Sequence, residues 1–260
     1  LKDYELLDYY SAEALLAKVY LTKAGLSGSL NSSDLAQAAK YAKDVIDNSG
    51  RTLTPSYEDV FRLSGFNKTG ECLISWLWAS PVKDWTMQNT FQSDLGMVGF
   101  DEFGDVWGQW IGPSVDLMNA FGVDPTDDPA SRNNSDIRRH ATIMMAGDTY
   151  PYFWQDKGGF DYLKFLYDAD YGKGGPGAGP GVGTSSTGSN NLKHRYGNAN
   201  DHKTATGVDA GRMASQLPTH LLRLSDLYLI YAEACLLSGD AAAAKTYVNL
   251  VRSRAGVSEL

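Results

Sequence analysis

The chain has 260 residues, 43% of them hydrophobic, which is enough to bury a real core in one large domain or two small ones. Its formal net charge of −8, with no block of basic residues, argues against a partner built on phosphate backbones such as nucleic acid. No run of 18 or more apolar residues occurs, so no stretch reads as a membrane-spanning helix.

The first predicted element is a helix in which Leu15, Leu16, Val19 and Tyr20 recur at helical spacing, beside Ala14, Ala17 and Leu21, with Gly25 as its stop. A polar loop follows, in which Ser33 or Asn31 is the N-cap of a second helix. Its apolar stripe is Leu35, Ala38, Ala39, Ala42, Val45 and Ile46, and Gly50 ends it. Two helices joined this closely form an antiparallel hairpin, and alanines on the facing stripe let the axes approach.

The middle of the chain has a different texture. ECLISWLWAS, from Glu71, reads as a buried or amphipathic strand. PSVDLMNAFG reads as a short helix with Ser114 as N-cap and Gly122 after it, and RRHATIMMAGD as another strand. Residues 172–191 are so rich in glycine, serine and asparagine that they read as a long flexible surface loop. This loop is no phosphate cradle: Val182 stands where the dinucleotide fingerprint needs glycine, and Pro176 and Pro180 remove backbone donors.

The hairpin design returns at the end. LLRLSDLYLIYAEACLLSG reads as an apolar helix stopped by Gly239, and DAAAAKTYVNLVRSRAG as a second, with Asp240 as N-cap and Arg252 and Arg254 in its last turn. Ala232 and Ala244 fall on the small-residue positions of a tetratricopeptide repeat. One such hairpin cannot bury its own apolar face, so the two hairpins need neighbours. Glu233, inside this helix, reads as a structural carboxylate paired with an element such as Arg223.

Catalytic and metal signatures are weak. His140, His194, His202 and His220 form no close metal pair, and no cofactor motif occurs. Asp124, Asp127 and Asp128, like Asp168 and Asp170, read as solvated turns. Cys72 and Cys235 sit in apolar runs and read as free thiols. The best enzymatic candidate is a glycosidase-like set, Asp101, Glu102 and Asp105, among the aromatics of GFDEFGDVWGQW.

The aromatics carry the sharper reading. Trp85, Trp107, Trp110, Tyr152 and Trp154 lie in segments that read as loops, with Tyr150 and Phe153 beside the last two. A sugar presents a face of C–H groups that stacks on an aromatic plane, and its hydroxyls need polar neighbours. Asp105 and Gln109, with Asp84, Asn89 and Gln155, supply those neighbours. The plainer reading for any single ring is a core side chain under a loop.

Two stretches resemble the SusD/RagB family. In the first, Val45, Ile46, Ser49, Gly50, Leu53, Tyr57 and Phe61 follow an alanine-rich helix pair. In the second, Arg223, Leu229, Tyr231, Ala232, Glu233, Ala234, Gly239, Asn249, Arg252, Arg254 and Gly256 fall in family positions. The ECLISW strand, the PSVDLMNAFG helix, and Asp136 and Arg138 also match.

The resemblance implies a mainly α fold: tetratricopeptide-like hairpins at 1–61 and 217–260, a few short strands, and an irregular, loop-rich ligand region at 62–216. It implies a non-enzymatic protein without cofactor. That protein would bind an oligosaccharide at the outer-membrane surface and deliver it to a TonB-dependent, SusC-like transporter. The family's lipid anchor and C-terminal segment are missing from this chain, which reads as a partial domain. A pure protein-interaction scaffold is the alternative reading.

Overall fold

The computed structural model describes residues 7–26, 28–63, 70–79, 89–95, 97, 99–100, 112–168, 170–171, 187–210 and 215–260. In chain order its elements begin α1 (Tyr9–Leu26), α2 (Ser32–Asn48), β1 (Cys72–Trp76), α3 (Phe91–Leu95), α4 (Val115–Phe121), β2 (Ile143–Met144) and β3 (Thr149–Tyr150). They continue β4 (Phe160–Asp161), α5 (Tyr162–Tyr167), β5 (Asn190–Asn191), α6 (Ala199–Thr206), β6 (Thr219–Arg223), α7 (Leu224–Leu237) and α8 (Ala241–Arg254). The chain divides into a helical unit (Leu1–Val60, Asn67–Trp76 and Thr219–Leu260) and a loop-rich unit (Phe61–Phe66 and Leu77–Pro218).

In the helical unit, alanine lines the seam of the first hairpin. Ala14, Ala17 and Ala24 of α1 and Ala38 and Ala42 of α2 are wholly buried. Small side chains let the two axes approach, and α2 packs in turn on α7, and α7 on α8. Asn31 is the N-cap of α2, accepting from the Ser33 and Asp34 amides at 3.0 and 3.1 Å. Asp240 caps α8 through the Ala243 amide at 3.0 Å.

The stripe expected for α1 is not the buried one. Leu15, Leu16 and Val19 are 48%, 40% and 50% exposed, and the alanines face inward. This helix is apolar around most of its circumference, so periodicity could not choose a face. The close approach of α2 chose the narrow one.

A second correction concerns the start of α7. Leu221–Arg223, read as the first turn of the helix, belong instead to strand β6, which is antiparallel to β1 and pairs Trp76 with Thr219 and Cys72 with Arg223. Two interactions stop the helix from extending backward: β1 offers a hydrogen-bonding edge, and the Asp226 carboxylate accepts the Arg223 amide at 3.1 Å.

Behind the sheet lies a buried ionic hub. Glu71 is wholly buried and accepts from Arg254 Nη1 at 2.8 Å, Arg223 Nη1 at 3.4 Å and the Thr54 amide at 2.9 Å. Arg223 therefore pairs with Glu71 and Asp226, whereas Glu233, its expected partner, is exposed.

The loop-rich unit is held by rings. Phe100, Tyr150, Phe153, Trp154, Phe160, Tyr162 and Phe165 form one buried cluster with Met97, Met144 and two leucines. Short antiparallel pairs, β2 with β5 and β3 with β4, tie its segments together. The expected long strand in RRHATIMMAGD shrinks to Ile143–Met144. Before it, the Arg139 and Thr142 amides turn back onto the carbonyls of Asp136 and Arg139. Arg139 and Arg132 are buried against Asp148, a charge pairing that an extended run would break. The expected flexible loop ends sooner than its composition suggests: Ser189 and Asn190 are each 1% exposed, and 172–186 lie outside the described residues.

Candidate ligand-binding region

The described part of the candidate site is the turn between β3 and β4, residues 151–159. Its conformation is set by one carboxylate. Asp201, 2% exposed, accepts the Trp154 amide at 2.7 Å, the Gln155 amide at 3.0 Å and the Gln155 side-chain amide at 3.2 Å. The same carboxylate closes the capping box of α6, accepting the Asn198 amide at 2.9 Å while Asn198 Oδ1 accepts the Asp201 amide at 2.9 Å. Trp154 is thereby held with φ 51°, a left-handed conformation unusual for a residue with a Cβ. A Cβ on Gly197 would fall 2.1 Å from Asp201 Oδ2, so that position requires glycine.

The left-handed turn sends the Trp154 indole inward. It is 1% exposed, its Nε1 donates to the Phe100 carbonyl at 2.9 Å, and its ring stacks on Phe100 at 5.9 Å. Lys157 Nζ lies 4.4 Å from the ring centroid. Trp154 is therefore a core ring, a correction to its expected role as a ligand platform, because no face is left for a sugar. Asn89 is likewise committed to the frame, donating to the Leu217 carbonyl at 2.6 Å and capping the Phe91 amide at 2.9 Å.

Tyr152 is placed differently. It is half-buried, edge-on to Phe153 at 4.7 Å, and the Arg62 guanidinium sits 3.5 Å from its ring centroid. A ring carrying a cation on one face is a cation–π platform. Gln155, exposed beside it, also donates to the Tyr152 carbonyl at 3.3 Å. Trp85, Asp105, Trp107, Gln109 and Trp110 lie outside the described residues, as do Asp84, Asp101 and Glu102.

Among the described residues, three exposed rings escaped the sequence reading, Tyr9 of α1 at 65% exposure and two others. Tyr167, at the end of α5, is 67% exposed, and Trp76, at the end of β1, is 55% exposed. The signal for Tyr167 was present: Tyr162, Phe165 and Leu166 bury one face of α5, which puts Tyr167 off it.

Charge in this unit is arranged for structure. The acidic turns are local: Asp124 Oδ1 accepts the Thr126 amide at 2.8 Å, and Asp128 Oδ1 accepts the Ala130 amide at 3.0 Å. Among the described residues no group of three ligating side chains could hold a metal ion. Burial pushes His202 and His194 below the ordinary imidazole value, and Lys193 and Arg195 add to the effect at His194. Neutral His202 accepts the Gln216 amide on Nε2 at 3.1 Å, with Nδ1 3.0 Å from the Val208 carbonyl.

One unit of tetratricopeptide-like helix pairs and one irregular, ring-filled unit set this chain apart from a regular repeat solenoid. The sequence profile of the SusD family matches residues 16–260, and the chain belongs to that family. A SusD-like protein of Bacteroides ovatus is 32% identical over 257 residues, covering 96% of this chain and 40% of the relative. A crystal structure with xylogluco-oligosaccharide superposes with TM-score 0.73 at 28% identity, over 98% of this chain and 45% of the other. A SusD-like protein from Bacteroides fragilis shares the fold at TM-score 0.61 and 22% identity, over 96% and 47%. The chain thus spans less than half the length of these relatives.

Proposed function

We propose that this chain is part of a non-catalytic glycan-capture protein at the bacterial outer surface, which hands an oligosaccharide to a TonB-dependent, SusC-like transporter. The observation that carries the reading is family membership together with the 28%-identical structure determined with a xylogluco-oligosaccharide. Attachment in this reading is through a lipid anchor, as the family resemblance implies; separately, no described helix is long and apolar enough to cross a membrane. Capture falls to Trp85, Trp107, Trp110 and Tyr152, with Asp105 and Gln109 as hydrogen-bond partners. Trp154 lies in the ring cluster against which Tyr152 packs.

Affinity gels and calorimetry on the intact protein against a polysaccharide panel test this reading. Retardation by at least one glycan, xyloglucan included, is the expected result, and no binding to any would overturn it. Trp107→Ala, Trp110→Ala and Tyr152→Ala should each weaken binding about two- to tenfold, the value of one aromatic contact of roughly 0.5–1.5 kcal/mol. Normal binding by all three would show the site to be elsewhere. Reducing-sugar release abolished by Asp101→Asn or Asp105→Asn would convert the reading to a hydrolase.

A further inference from the structure

The helical unit carries a cleft of its own, about 680 Å³, between the start of α1 and the last turns of α2. Glu13 lines it and is only 7% exposed. Its Oε1 accepts the Tyr9 hydroxyl at 2.6 Å, but its buried Oε2 has no donor. The neighbour across the cleft is Asp44, a second carboxyl, whose Oδ1 already accepts from Asn48 Nδ2 at 2.6 Å. Burial first, and then the Asp44 carboxyl through its charge and a shared hydrogen bond, hold the Glu13 carboxyl above its ordinary value, while the Tyr9 hydroxyl and the Lys40 charge oppose them.

The cleft's two cations lie within its own lining, and Lys40 draws the Glu13 carboxyl toward its charged form without hydrogen-bonding Oε2. Lys43 is paired with Asp47 at 2.5 Å, and Lys40 Nζ lies 5.7 Å from the centroid of the Tyr41 ring. With every group ionised, Glu13, Asp44 and Asp47 against Lys40 and Lys43 leave the lining one negative charge in excess. A buried acceptor facing a second carboxyl calls for something that donates hydrogen bonds and carries positive charge.

We propose that this cleft binds a primary ammonium group, held between Glu13 Oε2 and Asp44 and flanked by the Tyr9 ring. An ammonium has three N–H donors and can serve both carboxyls at once, and it is attracted by aromatic faces. A neutral hydroxyl donates a single hydrogen and leaves the two carboxyls repelling. A metal ion is a poorer fit, since no described group of three ligating side chains is present. The site is independent of the glycan-capture reading, and it gives the helical unit a recognition role beyond scaffolding.

Titration calorimetry on the intact protein tests it with three probes: glucosamine hydrochloride, n-butylamine and N-acetylglucosamine. Both amines should bind and N-acetylglucosamine should not, because acetylation removes the charge. Binding by glucosamine alone supports the site and narrows its ligand to an amino sugar. Glu13→Gln and Asp44→Asn should each lower amine affinity at least tenfold, with unchanged melting and unchanged retardation by polysaccharide. Asp44 is the more exposed of the two, so its variant keeps the test decisive if Glu13→Gln fails to fold. Equal binding of N-acetylglucosamine, no amine binding by the wild type, or undiminished amine binding by Asp44→Asn would each overturn the proposal.

Discussion

The two units solve the same problem with opposite means. The helical unit buries small side chains along regular seams, with wholly buried Ala14, Ala17, Ala38 and Ala42, and anchors its sheet on one buried carboxylate between two arginines. The loop-rich unit has only short helices and two-residue strands among its described residues, and it fills its interior with large rings instead. Regular backbone satisfies its own polar groups, so the helical unit can afford a core of methyl groups. Irregular backbone cannot, so the loop-rich unit needs buried side chains such as Asp201, Asn89 and His202 to pair its amides and carbonyls. Such a unit can vary its surface loops while its interior stays fixed, which suits the part of the protein assigned to ligand capture.

The largest expected effect breaks the helical side of this contrast. Glu71→Ala strands Arg254 and Arg223 without their shared acceptor and should cost about 3–5 kcal/mol, read by denaturant unfolding. Hydrogen exchange should then rise first in β1, β6, α7 and α8. Trp154→Ala is the matching test of the ring-filled core. It should cost about 3–4 kcal/mol and raise exchange first in β3 and β4, with any loss of glycan binding tracking unfolding. Tyr152→Ala, by contrast, should weaken glycan binding at near-constant stability. If Trp154→Ala keeps its stability and loses only binding, the assignment of Trp154 to the core is wrong.

A smaller effect distinguishes the units by cap chemistry. Asp240→Ala removes a single helix cap and should cost about 1 kcal/mol, confined to the start of α8. Acidification should act on both units, through His194 and His202 in one and His220 in the other, whose burial favours the neutral ring. The unfolded chain takes up protons at these imidazoles first, near the ordinary value of about 6.5. Their contribution is therefore complete above that pH and declines as pH falls below it. Melting temperature should drop as pH falls below about 6.5, and His202→Gln should flatten part of that slope.

How much was legible in the sequence varied with how local the deciding interaction is. The N-caps at Ser114 and Asp240 were legible, because a cap depends on residues within one turn of it. Gly122 and Gly239 were legible as stops, since both hold positive φ, where other residues are strained. The hairpin pairing followed from short loops and alanine spacing. In the candidate site, the sequence identified the ring-rich segment around Tyr152 but not which ring faces outward. The orientation of Trp154 depends on Asp201, 47 residues further on, and on a capping box that serves two segments at once.

By itself the sequence determined the two hairpins, the short helix after Ser114, the caps at Ser114 and Asp240, and the family, because these rest on spacing and on neighbours along the chain; α3, α5 and α6 were not legible in it. Only the tertiary structure decided which face of α1 is buried, that Thr219–Arg223 is strand, that Glu71 rather than Glu233 receives Arg223, and that Trp154 lies inside. Each of these is settled by a partner distant in sequence. An apolar helix has several buryable faces, a short segment such as Thr219–Arg223 suits helix or strand, and an arginine pairs with whichever carboxylate the fold brings to it. The free energy of burial and pairing chooses among them only once the chain has closed on itself.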